Sequence, residues 1–450
     1  MVNASYKPLF AFIAAKIANF LQADDASGGH RDQTYQGRRR WYRLGFTFSF
    51  TCEQTSLAKG TLMHWDKGWD IPDAVGRDPC AMLQEAIDDL GLPVLVSVLA
   101  NDSTGTLLMR SYTSGMRHGS TLAAVIFGTG TNAAYVEKMS HVKGLDIKAD
   151  PDAIMVINTE WGCFDDEMKV LPRTPYDDDL DANSTSPGAQ MLEKRVSGMY
   201  LGELLRLAIL RLLRTGGLQT QADGSSPIHQ QWGIDSSFLS QLANGDTDED
   251  ATHIVRETLS ATNVTPNDVA CIRLVAAAIA RRAARLAGAS LAAIVIQSGR
   301  LNAPHRRDIY LHPKTTTLEK EACNDAGDKR TLFDRFRLRL SRILRNILSS
   351  VGLGFFTEPA TPGPAVIEVP DDAKSDISHG SDDDEVIDIG ADGSLIEFYP
   401  TFEVDMRAAM RDVPEIGCEG EKRIRMGLAK DGSGIGAALM AQAALRSERQ

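Results

Sequence analysis

Apolar and polar positions along the chain alternate between a helical and an extended period. Within residues 8 to 22, "LFAFIAAKIANFL" carries apolar side chains every three or four positions, the spacing of a packed amphipathic helix. The stretch 46 to 72, "FTFSFTCEQTSLAKGTLMHWDKGWDIP", reads as a strand, a turn-helix and an aromatic-rich loop. "VLVSVLAND" (94–102) is an apolar strand ending in Asn-Asp, and "AIMVINTEWGCF" (153–164) is a strand running into an acid. "TLAAVIFGTGTNAAYVE" (121–137) has two β-rich runs around Gly-Thr-Gly, a hairpin signature. Residues 193–214 predict one strong amphipathic helix, and 269–297 an Ala-rich helix followed by an apolar run. "EVIDIGADGSLIEFYP" (385–400) reads as strand, glycine turn, strand, and "KDGSGIGAALMAQAAL" (430–445) as a glycine-rich turn opening a helix. This mixture predicts an α/β architecture.

Residues 301–385 break the pattern. Phe333, Phe336, Leu340, Ile343, Ile347 and Val351 keep a helical period, with seven Lys or Arg between 329 and 345. A Pro-rich and then acidic stretch, "PDDAKSDISHGSDDDE", follows. We expect an insertion holding a basic amphipathic helix (329–353) suited to a regulatory protein partner, and a solvated tail.

Composition adds limits. The 450 residues are 43% hydrophobic and 24% charged, enough for two or three domains with a sizeable core. A net charge of −12 argues against general nucleic-acid binding. Cysteines at 52, 80, 163, 271, 323 and 418 show no metal-ligand spacing, which suits free thiols in a reducing compartment. No apolar run is long enough to span a membrane, and the N-terminal helix lacks the basic flank of a signal peptide. A cytoplasmic or nuclear location is the expectation.

Two sets of residues carry candidate chemistry. Three glycine-rich turns, Gly128-Thr129-Gly130, Gly390 to Ser394 (with Asp392 and Gly393) and Asp431 to Gly436, could present backbone N–H groups to phosphate. One such turn is commonly just a tight turn; three point to a nucleotide as readily as to plain turns. Polar groups at strand ends form the second set: Asn101, Asp102, Asn132, Glu160 and Glu193. Amides and carboxylates suit a polyhydroxylated ligand, and an aspartate can take a hydroxyl proton. Capping and turn chemistry is the competing reading for each taken singly.

The motifs "LGFTFSF", "WDKGWDIP", "LANDSTGTL", "VIFGTGTNAAY", "NTEWGCFDDE", "LPRTPYD", "PGAQMLEKRVSGMYLGELLRL", "ADGS" and "DGSGIGAAL" resemble the eukaryotic hexokinase family, in order. The resemblance implies a two-lobed α/β fold of the actin-like ATPase type. Its small lobe would be residues 1–102, and its large lobe 103–300 and 386–436. Residues 437–450 would form a C-terminal helix returning to the small lobe. The implied activity is transfer of the ATP γ-phosphoryl group to a hexose 6-hydroxyl with Mg²⁺. Carried over by motif, Asp102 would be the general base. Asn101, Asn132, Glu160, Glu193 and Lys67 would hold the sugar, and Gly128, Thr129 and Gly130 a phosphate. Asp431, Gly432, Ser433 and Gly434 would form the adenosine turn, with Asp392, Gly393 and Ser394 also on the nucleotide.

Departures from that pattern shape the functional expectation. Thr51 replaces a proline, Glu53 stands where the motif alignment expects a sugar-contacting serine, and Asp66 replaces a sugar-contacting threonine. A carboxylate in place of a hydroxyl accepts hydrogen bonds but donates none. Both acids are expected near Asp102. The family's first phosphate loop, an Asp-x-Gly-Gly-Thr turn, is expected upstream of the first helix and does not occur in this sequence. These features resemble the non-catalytic, regulatory hexokinase-like branch of filamentous fungi. They predict an incomplete small lobe, a strand at "LGFTFSF" without a neighbour, and an impaired enzyme with a role in nutrient signalling. The alternatives are an active hexokinase or glucokinase of glycolysis, and a true start upstream of Met1.

Overall fold

The computed structural model describes residues 5–26, 34–35, 38–39, 41–114, 121–142, 153–245, 247–302 and 386–447. The basic helix and the acidic tail expected within 301–385 fall almost wholly outside them.

The first helix, α1 (Tyr6–Ala26), presents Tyr6, Phe10 and Ala14 to a core shared with α2 (Pro79–Asp89). Asp78 caps α2 by accepting from Cys80 N, and Pro79 occupies the first turn, where its missing N–H costs nothing. Two-residue β1 (Thr34–Tyr35) and β2 (Arg38–Arg39) form a small antiparallel ladder. β3 (Tyr42–Thr47) pairs in parallel with β6 (Val94–Ala100), so "LGFTFSF" does have a neighbouring strand. Residues 52–62, expected as a turn-helix, form instead the hairpin β4 (Cys52–Ser56) and β5 (Lys59–Leu62). A run rich in Thr, Ser and Gln with a glycine has too little 3.6-residue periodicity to hold a helix.

The second sheet has five strands in the order β13-β12-β7-β8-β9. β7 (Thr121–Phe127), β8 (Thr131–Lys138) and β9 (Ile154–Asn158) form an antiparallel meander. β12 (Ile387–Asp392) runs parallel to β7 and to β13 (Ile424–Leu428). The small ladder of β10 (Gln221–Ala222) with β11 (Ala261–Thr262) lies outside this sheet. The larger core packs around it, with the long α9 (Pro266–Gln297) burying an Ala-rich face. That helix is continuous, so the apolar run ending at Gln297 is its last turns.

Two further segments differ from expectation. Residues 193–214 divide into α5 (Glu193–Val196) and α6 (Gly198–Arg214), because Ser197 is extended and Gly198 N donates to Gly128 O at 2.8 Å. The segment after Gly393 is a short helix, α10 (Ser394–Phe398), not a strand. Five apolar-rich residues are too few for periodicity to separate the two. The remaining helices are α4 (Pro175–Ala182), α7 (Ser237–Asn244), α8 (Asp248–Leu259), α11 (Phe402–Arg411), α12 (Gly417–Lys422) and α13 (Gly432–Ser447).

The C-terminal helix α13 joins the two cores. Ala437, Ala441 and Ala444 pack on Val98 and Ala100 of β6. It also crosses α3 (Asp102–Thr113) at glycine: a Cβ on Gly436 would lie 2.0 Å from Gly105 O, and one on Gly105 2.6 Å from Ser433 O. α3 is in turn fixed to the large sheet. Arg110 Nη2 and Nε donate to the fully buried Asp388 at 2.7 and 3.1 Å, Arg425 adds bonds of 2.6 and 3.0 Å, and Thr121 Oγ1 donates at 2.9 Å. Burial alone would push the Asp388 carboxyl up, but these donors hold it below its ordinary value. The ion cluster therefore sets the direction in which the N-terminus of α3 points.

Candidate active site

Asn101 and Asp102 stand at that N-terminus, immediately after β6. Asn101 is the cap, with Oδ1 accepting from Ser103 N at 2.9 Å and Ser103 Oγ at 2.7 Å. Asp102 Oδ1 accepts from Ser103 N at 2.7 Å, and the acid lies in the helix's first turn, where the dipole favours negative charge. Capping is thus real, but it leaves Asn101 Nδ2 free to reach Glu160 Oε1 at 3.3 Å.

The wall opposite is built from β8 and β9. Asn132 Nδ2 donates to Asn158 Oδ1 at 2.8 Å and lies 3.2 Å from Asn101 Oδ1 and 3.3 Å from Glu160 Oε1. Asn158 Nδ2 donates to the same Glu160 oxygen at 2.8 Å. Glu160 adopts a left-handed backbone, φ 46°, as the chain leaves the strand. Burial raises its carboxyl pKa, with the Asn158 bond and Lys67 opposing.

Glu193, at the start of α5, is 3% exposed. Its Oε2 accepts from Thr131 N at 2.9 Å, and its Oε1 has no hydrogen-bond partner among the described residues. Burial pushes its carboxyl up to about 7, with Lys67 opposing and Asp66 and Glu160 adding to the rise.

Lys67 reaches the site from the loop after β5. Its φ of 53° and the 78° of Gly68 turn the chain inward, and Trp65 Nε1 closes the loop by donating to Ile71 O at 2.8 Å. Lys67 Nζ donates to Ser49 O at 2.7 Å and lies 5.2 Å from the centre of the Phe50 ring. Its stem crosses the Gly-Thr-Gly turn: a Cβ on Gly130 would sit 2.3 Å from Lys67 Cε and 2.5 Å from Glu193 Oε2. Burial pulls the ammonium down, but Glu193, Asp66, Asp102 and Glu160 together hold it above its ordinary value.

Of the two unexpected acids, one is in the site. Asp66 is 4% exposed, and its Oδ1 lies 3.4 Å from Lys67 Nζ, an ion-pair distance without hydrogen-bond alignment. Burial raises its pKa; Lys67 and His64 oppose, and Asp102 adds to the rise. Glu53 is not in the site. It is an exposed residue of β4, opposite Thr61. All of Glu53–Ser56 in β4 is exposed, and the serine that touches the cluster is Ser49, through its carbonyl on Lys67.

The structure therefore gathers Asn101, Asp102, Asn132, Glu160, Glu193, Lys67 and Asp66. It adds Asn158, which the sequence reading missed. Its signal was its place two residues before Glu160 at a strand end.

Two of the three glycine turns pack on each other. Gly128–Gly130 forms the β7–β8 turn, closed by Gly128 N donating to Gly130 O at 3.0 Å. Gly393 backs directly on it: its φ is 115°, and a Cβ there would lie 2.4 Å from Phe127 C and O. Beside them opens a cleft of about 550 Å³ lined by Thr129, Gly198, Met199, Ser236, Ser394 and Leu395, among others. The Asp431–Gly434 turn does not line it; Thr47 Oγ1 donates to Ser433 O at 3.3 Å at the α3–α13 crossing. Asp392 is half-buried, its carboxyl pushed up by burial and by the nearby Asp431, Glu397 and Asp102.

A polar sugar-sized cluster, an acid on a helix N-terminus and a cleft beside the Gly128–Gly130 turn of the larger sheet define the class of a sugar phosphotransferase. Two family models, both described as hexokinase, match residues 1–112 and 122–443. Glucokinase of Aspergillus niger is 39% identical over the whole of this chain and 79% of that protein. Glucokinase-1 of Saccharomyces cerevisiae is 31% identical over 98% of this chain and 75% of its own length. The solved hexokinase from Schistosoma mansoni complexed with glucose superposes with a TM-score of 0.68 at 26% identity, covering 97% of this chain and 75% of that one. The chain belongs to the hexokinase family, with its actin-like ATPase fold. No helix among the described residues is long and apolar enough to cross a membrane.

Proposed function

We infer that the polar cluster around Asp102 binds a hexose and the neighbouring cleft ATP, that Asp102 is the general base, and that Asp66 makes the chain an impaired phosphotransferase suited to nutrient signalling. The buried Asp66 carboxylate, placed where a hydroxyl is expected, carries this reading. Asn101, Asn132, Glu160, Glu193 and Lys67 would bond the sugar hydroxyls. Asp102 would accept the proton of the attacking hydroxyl.

The residues present fit a nucleotide. The cleft beside the Gly128–Gly130 turn offers Thr129, Ser236 and Ser394 hydroxyls and the backbone at Gly198. The adenosine role expected of Asp431–Gly434 is better suited to Ser394 and its neighbours, which border the cleft. Among the described residues no three His, Cys, Asp or Glu side chains form a metal-ligand group. Mg²⁺ commonly takes phosphate and water ligands with one or two carboxylates. Asp392, short of a compensating cation, is the acid that would assist. ATP bound with Mg²⁺ supplies the phosphoryl group and neutralises its charge.

A second reading, an active hexokinase or glucokinase, draws on the assembled Asn101–Asn132–Glu160 network and the exposed position of Glu53. Product formation from ATP and glucose decides between them. Impairment predicts turnover well below the roughly 1–100 s⁻¹ of kinases. Turnover within that range, abolished by Asp102→Ala, selects the active reading.

A further inference from the structure

We propose that Asp66 tunes the polar cluster of Lys67, Asn101, Asp102, Asn132, Glu160 and Glu193 toward a hexose carrying an ammonium group, an aminodeoxyhexose in preference to a neutral hexose. This rests on reading that cluster as a hexose site. Four carboxylates, Asp66, Asp102, Glu160 and Glu193, surround one ammonium, that of Lys67. Asp66 Oδ1 and Glu193 Oε1 are both buried without a hydrogen-bond partner. Lys67 gives an aligned hydrogen bond to neither oxygen. One of its donors is taken by Ser49 O at 2.7 Å, and its approach to Asp66 is misaligned. The other basic side chain acting on Asp66 is His64, an exposed residue.

A neutral sugar donates hydrogen bonds to these oxygens but leaves their charge uncompensated. Ligand binding expels water from the sugar site, and uncompensated buried charge is then at its most costly. Replacing one ring hydroxyl by an ammonium keeps the ring's size and supplies both a charge and up to three donors. A metal cation answers the same charge less well, since no three-ligand group exists among the described residues. The inference thus names Asp66 as a specificity-determining residue.

The test is calorimetric titration of the full chain at pH 7 and low ionic strength. The probes are glucose, its 1-, 2-, 3- and 4-amino-deoxy analogues, and the N-acetyl form of each amine. At least one amine is expected to bind tenfold or more tighter than glucose, and its N-acetyl form to lose that advantage. In Asp66→Asn, or in Asp66→Thr should the first variant misfold, the preference should shrink to within about twofold, since one compensated charge pair is gone. Glucose binding as tightly as every amine in the wild type, or a preference that survives both substitutions, overturns the proposal and leaves the hexose site standing. Failure of all the sugars to bind overturns both.

Discussion

Replacing Asp66 by threonine is expected to raise kcat/KM for glucose phosphorylation at least tenfold. Asp66 acts on Asp102, and both would face the negative phosphate brought to the sugar. Lys67, 3.4 Å from Asp66, offsets part of this. A remainder of only about 1.4 kcal/mol already amounts to a factor of ten. Threonine also restores a donor for a sugar hydroxyl. The gain should lie mostly in kcat, because the repelled charge is that of the phosphoryl group in transit. Steady-state kinetics of the purified variant checks this, and an unchanged or lower kcat/KM would show that Asp66 is not what limits the site.

In that Asp66→Thr background, Asp102→Asn should lower kcat by about 10²–10⁴, the usual contribution of a positioned general base. Asparagine keeps the side-chain oxygen that accepts from Ser103 N at 2.7 Å, so the α3 N-terminus and the Asn101 cap should stay in place. Glucose affinity should then change far less than kcat. A loss of affinity as large as the loss of turnover would point to a binding role for Asp102. A turnover within a few fold of the parent would remove it from the chemistry.

Much of the site was legible because strand ends announce themselves. Asn101-Asp102 after an apolar run, Asn132 after Gly-Thr-Gly and Glu160 after "VINT" all emerge on one side of the fold. The register of the small-lobe loop was not legible. From "FTFSFTCEQTS" alone, nothing says whether position 49 or 53 faces inward, and the hairpin leaves Glu53 exposed along with the rest of Glu53–Ser56. The identity of the nucleotide-bordering turn was hidden for a similar reason. "ADGS" and "DGSG" are locally alike, but Gly393 packs on Phe127 and Gly128, whereas Gly436 packs on Gly105. Long-range packing separates them, and single-sequence motifs carry no record of it. Asp66 presents the reverse case: its residue type was plain, while its burial against Lys67 needed the loop geometry set by Lys67 and Gly68.

The most direct test of the hexose site is calorimetric titration of glucose into the wild-type chain at pH 6 and pH 8. Burial raises the carboxyl pKa of Asp66 and Glu160, and brings Glu193 to about 7. Lys67, His64 and Asp102 are further titratable groups acting on this set. Lowering the pH from 8 to 6 passes through about 7 and protonates Glu193, whose folded-site carboxyl is raised to that value. Protonated Glu193 then gains an O–H to donate to a sugar hydroxyl. Saturable one-site binding is expected at both pH values, tighter at pH 6, and lost in Asn132→Ala. No saturable heat at either pH, or binding that weakens as the pH falls to 6, would contradict it.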